Sequence, residues 1–490
     1  MRWGEMRSAI IGSVAVGAAF AMATVACGDA APITDDGASA ADGATEDAGT
    51  DATSSPPLVL VGGDAAPVDA ARPCVNLECQ QAACTGPDVT TVTGKVQDPA
   101  GTTPLYNAIV YVPNAAVAPF AAGVACDKCG APASGSPLVS ALTSADGTFT
   151  LTNVPVGTDI PLVIQIGRWR RQVKIPTVTA CVENRLTDTS LTRLPRNKSE
   201  GDIPQMAIAT GSSDPMECLL LKMGIDASEF TPSTGSGRVH YFRENGTDTK
   251  PAAPVASKLW SQLSSLMKYD LVYLPCEGSA TNTDDPADHG PAARENLRQY
   301  ANAGGRVFTT HYSYAWTEAI WPTTATWKLD QTYLDDVTGT LDTSFPKGKA
   351  FADWLKLVST PPATYGKLDI HEGRHDLNVV NTATSQRWIS VSPSPSGAKD
   401  SVQHMTFNTP LDAGVDDAGA SLACGKVVFS DFHVSASALD ASQKYFPKAC
   451  KLGALSNQEK ALEFMIFDLS SCIQKDDTPP APPVPTPVPR

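Results

Sequence analysis

The sequence predicts a multidomain chain in which an all-β unit is followed by an α/β domain with a mainly parallel sheet, the two set between disordered termini. Three observations predict it. The two ends differ in composition from everything between them. Short alternating segments separated by turn signals fill residues 91–166. From Ile203 onward, apolar strand-like segments alternate with helical ones. A length of 490 residues with 42% hydrophobic content allows two or three packed cores.

The chain opens with Arg2 and Arg7, then a run of small apolar residues from Ile10 to Ala26. Seventeen residues are short for a membrane span and fit a cleaved secretion signal over 1–26. The stretch Thr24-Val25-Ala26-Cys27-Gly28 resembles a bacterial lipobox, which implies a lipid on Cys27. Thr24 departs from the usual aliphatic residue, so ordinary signal-peptide cleavage nearby is the alternative. The lipobox implies passage across the inner membrane and a lipid anchor in the cell envelope, at the outer membrane. Residues 27–72 read as an acidic disordered tether: 28–70 hold nine acidic residues and no basic one. Most of the net charge of −15 therefore belongs to the tether. No basic stripe is present, which excludes nucleic acid as a partner. Residues 476–490 hold seven prolines and read as an extended tail.

The all-β unit is expected over 73–195. Cys74, Cys79 and Cys84 lead into the alternating strand Thr91 to Val96, and Asp98-Pro99-Ala100-Gly101 makes a turn. Ala108 to Val112 is the next strand. Asp146-Gly147-Thr148-Phe149, Val154-Pro155-Val156-Gly157 and Leu162 to Ile166 follow. These pieces, with Gly94-Lys95-Val96 and Pro104-Leu105, resemble the carboxypeptidase regulatory-like domain. That resemblance implies a transthyretin-like β-sandwich acting as a spacer or adhesion module, with no catalytic residue carried over. Setting Cys27 aside leaves eleven cysteines, an odd number, so a monomer keeps one free thiol. Cys126 and Cys129 with Cys79 and Cys84 have the residue types of a four-thiolate zinc site. Disulfide stapling of the loop from Pro113 to Leu138 is the expected use in an oxidising envelope.

The α/β domain is expected over 196–475. Met206 to Ala209 and Tyr269 to Leu274 are near-continuous apolar strands, as a sheet covered on both faces requires. A helix runs from Glu217 to Met223, and another from Arg294 to Ala303, closed by Gly304-Gly305. The strands Arg306 to Thr310 and Gly425 to Ser430 follow, then an amphipathic helix from Asn457 to Ser471. Tyr269 to Pro275, Asn302 to Phe308 and Gly425 to His433 resemble the class I glutamine amidotransferase-like fold, in its trehalose-utilisation branch, an amidotransferase/flavodoxin-like architecture. The whole chain also resembles predicted envelope lipoproteins of myxobacteria. In active amidotransferases a cysteine stands at a sharp turn after a central strand. The matching place here is Thr310-His311-Tyr312-Ser313, with neither cysteine nor flanking glycine. The departure implies loss of glutaminase chemistry.

Cys276 follows a parallel strand in Pro275-Cys276-Glu277-Gly278, where ligands collect at carboxyl ends. As the unpaired thiol it would be a nucleophile activated by His433, with Asp431 orienting that histidine; a bridge to Cys218 would remove it. Ser313 is the alternative nucleophile. His371-Glu372-Gly373-Arg374-His375 matches H-E-x-x-H, in which His371 and His375 on one helix face hold zinc. A strand-like approach, Gly373 and the lack of any glutamate between Glu372 and Glu459 make a chance match the expected reading. Tyr312, Tyr314, Trp316, Trp321 and Trp327 either stack on sugar rings or pack down as a lid. The functional expectation is a non-catalytic envelope protein with no cofactor, in binding or structural support. The pocket would be lined by Glu277, His311, Tyr312, Asp431 and His433, with a glycan or another envelope component as partner. The alternatives are a hydrolase using Cys276 or Ser313 with His433 and Asp431, and then a zinc peptidase through His371 and His375.

Overall fold

The structure is a computed structural model that describes residues 73–210, 213–244, 249–276, 278, 289–392, 400–417, 419, 421–434 and 453–483, without the side chains of 329–333 and 335. The secretion signal, Cys27, the whole tether and Glu277 lie outside the described residues. Residues 71–490 form one compact unit. No described helix is long and apolar enough to cross a membrane.

The first part is all β. Its strands are β1 Thr91–Lys95, β2 Ile109–Pro113, β3 Pro137–Leu142, β4 Thr148–Thr152, β5 Gly157–Ile166, β6 Trp169–Val178 and β7 Glu183–Arg185, followed by the single-turn helix α1 Thr189–Thr192. They form two sheets, β4-β1-β7 and β3-β2-β5-β6. The inward residues of both, Val92, Phe149 and Leu151 from one and Val110, Leu162 and Ile164 from the other, meet in one core. At the β3–β4 corner, Ser144 accepts an N–H bond from Gly147, whose φ of +78° places it in the left-handed region that glycine tolerates.

The second part contains β8 Met206–Thr210, α2 Met216–Lys222, β9 Phe230–Pro232, β10 Val239–Arg243, α3 Ser257–Trp260, α4 Leu263–Leu266, β11 Leu271–Leu274, α5 Pro291–Asn302, β12 Arg306–Thr310, α6 Tyr314–Ile320, β13 Ala325–Leu341, α7 Pro346–Val358, β14 Lys367–Val380, β15 Ser385–Val391, β16 Ser401–Thr409, β17 Gly425–Ser430 and α8 Asn457–Ser470. One ten-stranded sheet runs in the order β14-β13-β15-β16-β17-β12-β11-β8-β10-β9. From β17 to β9 every neighbouring pair is parallel; from β17 to β14 every pair is antiparallel. The sheet is thus mixed, with its mainly parallel half as expected and an antiparallel half that the sequence reading did not foresee. The chain leaves β8 toward β10 and returns to β11 on the other side, so a topological switch point lies between β8 and β11.

Period-two alternation divides the parallel strands between two cores. Met206, Ile208, Leu271 and Tyr273 face one; Ala207, Ala209, Val272 and Leu274 face the other, with Leu297, Tyr300 and Trp316 from the helices. The first of these cores is continuous with that of the β-rich part, and α8 is the element that joins them. It was expected to be amphipathic, yet twelve of its fourteen residues are buried. Phe464 stacks on Tyr106 from the β-rich part at 5.9 Å and lies 5.3 Å from Trp354 of α7, while Phe467 meets Trp169 edge-on. Two of its three acidic residues are paired with lysines inside, while Glu463 is buried beside Asp98 with its pKa raised by burial. Glu459 bonds Lys222, and Asp468 takes the Nζ groups of Lys347 (2.8 Å) and Lys426 (2.5 Å).

Those two lysines also bond Asp476 at 3.1 and 2.7 Å, and Thr406 donates to Asp476 at 2.6 Å. The start of the tail, expected to be extended and disordered, is therefore locked into the core. Further on, Ser140 of β3 donates to the carbonyl of Pro483. Disulfides join Cys74 to Cys79, Cys84 to Cys181, Cys126 to Cys424 and Cys129 to Cys472. The four-thiolate zinc alternative is thereby excluded. The loop after β2 is stapled to the segment before β17 and to the end of α8, rather than to itself.

Candidate functional site

The carboxyl ends of the parallel strands are where backbone groups and loop side chains converge, and the switch point opens there. Cys276 lies two residues past β11, His311 directly past β12, His433 three residues past β17, and Asp214 four residues past β8. Cys276 is the free cysteine among the described residues and is wholly buried. Cys218 is disulfide-bonded, but not to Cys276.

His311 opens the short 3-10 turn that follows β12. Its φ of +37° places it in the left-handed region, a strained position that the surrounding packing must hold. Its Nδ1 lies 3.1 Å from Cys276 Sγ and 3.2 Å from His433 Nε2. Its Nε2 faces Asp376 Oδ2 at 4.0 Å. On the far side of His433, Nδ1 pairs with Glu372 Oε2 at 2.7 Å. Sulfur and two ring nitrogens thus meet at one point, all within 4.8 Å of one another, with a carboxylate behind each ring.

Glu372 reaches the site because β14 bends over the end of β17. Arg374 N–H donates to Asp431 O at 2.8 Å, and Gly373 bridges Phe432. A Cβ on Gly373 would stand 2.8 Å from the amide oxygen of Gln403, which would have to shift to admit it. Glu372 itself is at φ +55°.

Asp214 ties the strand ends together. Its carboxylate accepts from Thr310 Oγ1 at 2.6 Å and from Val434 N–H at 2.7 Å, while Thr310 Oγ1 accepts the Cys276 N–H at 2.8 Å. Burial raises the Asp214 pKa, opposed by the charge of His433 and by these hydrogen bonds. Burial likewise pushes Glu217, one turn into α2, up to about 8.

The two histidines are driven apart electrostatically. Burial, the charge of His433 and that of Arg374 push His311 down to about 2, so it is neutral. Burial also opposes the charged form of His433. Hydrogen bonds to Cys276 and Glu372, with the charge of Asp214, outweigh it and push His433 up to about 10. The centre opens toward solvent on the side of His433 and Glu372, whose side chains are 12% and 39% exposed.

Other expected site residues go elsewhere. Ser313 spends its hydroxyl on the carbonyl of Pro275 at 3.2 Å and does not meet His433. Asp431 does not orient His433: its carboxyl accepts the Asp376 N–H, and burial beside Asp376 pushes its pKa well upward. Glu372 holds the place expected of it. His371 and His375 lie on strand β14, not on a helix; His371 pairs with Asp336, and His375 Nε2 with Asn378 Oδ1. The helical zinc-protease geometry is absent. Trp316 packs on Trp260, Trp321 on Phe407 and Trp327 on Phe429, so these indoles belong to the core and offer no sugar platform. Tyr312 lies beside His311, ring centroids 4.1 Å apart.

Sequence reasoning missed Asp214, Thr310 and Asp376, and gave Glu372 a different role. The rule that singled out Cys276, a polar residue just past a buried parallel strand, also selects Asp214.

No family model and no curated protein matches the chain. Solved structures similar to it include the cytoplasmic protein STM3548 from Salmonella typhimurium, with 9% identity over 56% of this chain and 100% of that one, TM-score 0.30. A protein described as ThuA-like from Parabacteroides merdae has 12% identity over 57% and 94%, TM-score 0.29. One described as a GMP synthase subunit from Thermoplasma acidophilum has 8% identity over 54% and 92%, TM-score 0.28. Likenesses this distant carry no argument about chemistry.

Proposed function

We propose that this chain is an acyl-group hydrolase of the cell envelope, held there by the lipid on Cys27, with Cys276 as nucleophile, His433 as acid and base, and Glu372 as the group that orients His433. The observation that carries the reading is a free sulfur facing a histidine whose other nitrogen is bonded to a carboxylate, in a chain whose other described cysteines are all bridged. The high His433 pKa pairs the sulfur with an imidazolium that can act as the acid. In that pair the sulfur attacks the acyl carbon. The leaving alcohol or amine takes the Nε2 proton. Water then cleaves the thioester, giving one proton back to His433 and releasing the acid. A free thiol built into this network favours chemistry over the simple binding that the fold resemblance led us to expect.

The test uses the mature protein with its disulfides intact. Turnover of p-nitrophenyl esters, and trapping of a thioester by mass spectrometry, are expected for the wild type and lost in Cys276→Ser. Equal turnover by Cys276→Ser overturns the reading.

A further inference from the structure

We infer that Cys276 Sγ, His311 Nδ1 and His433 Nε2 form a site for one divalent cation of the zinc class. The thiol reading leaves His311 without a part, although its Nδ1 is the atom nearest both of the others, at 3.1 and 3.2 Å. Bonds of about 2.3 Å to sulfur and about 2.0–2.1 Å to nitrogen place tetrahedral donors about 3.3–3.6 Å apart, so a few tenths of an ångström of opening admits the ion. One thiolate and two imidazoles are the donor types zinc prefers, and three protein ligands leave a fourth position open.

The surroundings match as well. A ligating histidine gives its other ring nitrogen to a carboxylate, which fixes the tautomer and aims the lone pair. Glu372 stands in that place behind His433 at 2.7 Å, and Asp376 behind His311 at 4.0 Å. Three lone-pair donors buried face to face repel unless a proton or a cation lies between them, and one cation satisfies all three. This inference shares its residues with the thiol reading, and makes the cation a competitor for the sulfur.

The experiment loads the full chain, disulfides intact, with Zn2+ or Co2+, removes excess metal by gel filtration and measures what is retained. One equivalent of zinc is expected, and cobalt should show thiolate-to-metal charge-transfer absorption. His311→Ala, which leaves Cys276, His433 and Glu372 in place, should lose both signals while keeping the wild-type melting profile. Should that variant fail to fold, the cobalt spectrum of the wild type decides by itself. No retained metal, retention without the sulfur band, or retention undiminished in a folded His311→Ala each overturns the site. Ester turnover with zinc and with chelator separates the two readings. Suppression by zinc leaves both standing; a requirement for zinc ends the thiol mechanism and keeps the metal site.

Discussion

Two buried polar clusters lie in the second half of this chain, and they are built on opposite principles. In one, Lys347 and Lys426 meet Asp468 and Asp476: two cations and two anions, with Thr406 adding a further hydrogen bond. Its charges cancel and its contacts run between α7, α8, β16, β17 and the tail, so it works as a clasp. In the other, Cys276, His311 and His433 turn like-natured donor atoms toward one another, on strained backbone, beside acids that burial drives toward neutrality. The first arrangement lowers the energy of the fold. The second raises it and is held in place by the fold. Buried polarity therefore marks function where it is mismatched and structure where it is balanced.

The largest expected difference is in activity. Cys276→Ala should cut ester turnover by roughly 10³-fold or more, while the denaturation midpoint stays put or rises. A matching fall in stability, read in the same urea titration, would erase the contrast. Lys426→Met should do the reverse, leaving two buried carboxylates with one ammonium and costing about 3–5 kcal/mol of unfolding free energy.

pH should part the clusters next. Two lysines, working against burial, hold Asp468 and Asp476 below the usual carboxylate range. Their contribution is present at neutral pH and is lost as pH falls through that range. Glu217, under the mismatched cluster, has its pKa pushed up by burial to about 8. Folding there takes up a proton between the ordinary glutamate value and about 8, so stability declines as pH rises through that window. Glu217→Gln should flatten the decline, which is at most about 1.4 kcal/mol per pH unit, in unfolding curves taken from pH 5 to pH 9. The smallest effect is that of Glu372→Gln, which keeps the hydrogen bond but not the charge on His433. It should lower turnover about tenfold, with the pH optimum shifted downward.

The parallel strands were legible because a sheet covered on both faces needs near-continuous apolar runs; Met206 to Ala209 and Leu271 to Leu274 show them plainly. Cys276 was legible from its place just past such a run. Glu372 was not, because its meeting with His433 spans 61 residues and depends on β14 bending over the end of β17. Within the sequence it reads as part of a metal motif on a helix that does not exist. The character of α8 was hidden for a related reason. Glu459 and Asp468 look like a solvent face until Lys222, Lys347 and Lys426 arrive from distant segments to cover them.

Cys126 and Cys129 stand two residues apart, and each waits for a partner about three hundred positions later. During synthesis both thiols emerge long before Cys424 and Cys472 exist, and the neighbour at hand is the wrong one. The early half of the protein cannot be sealed until the final helix has been made. A chain cut short before Cys472 therefore leaves Cys129 without the partner that the finished chain supplies.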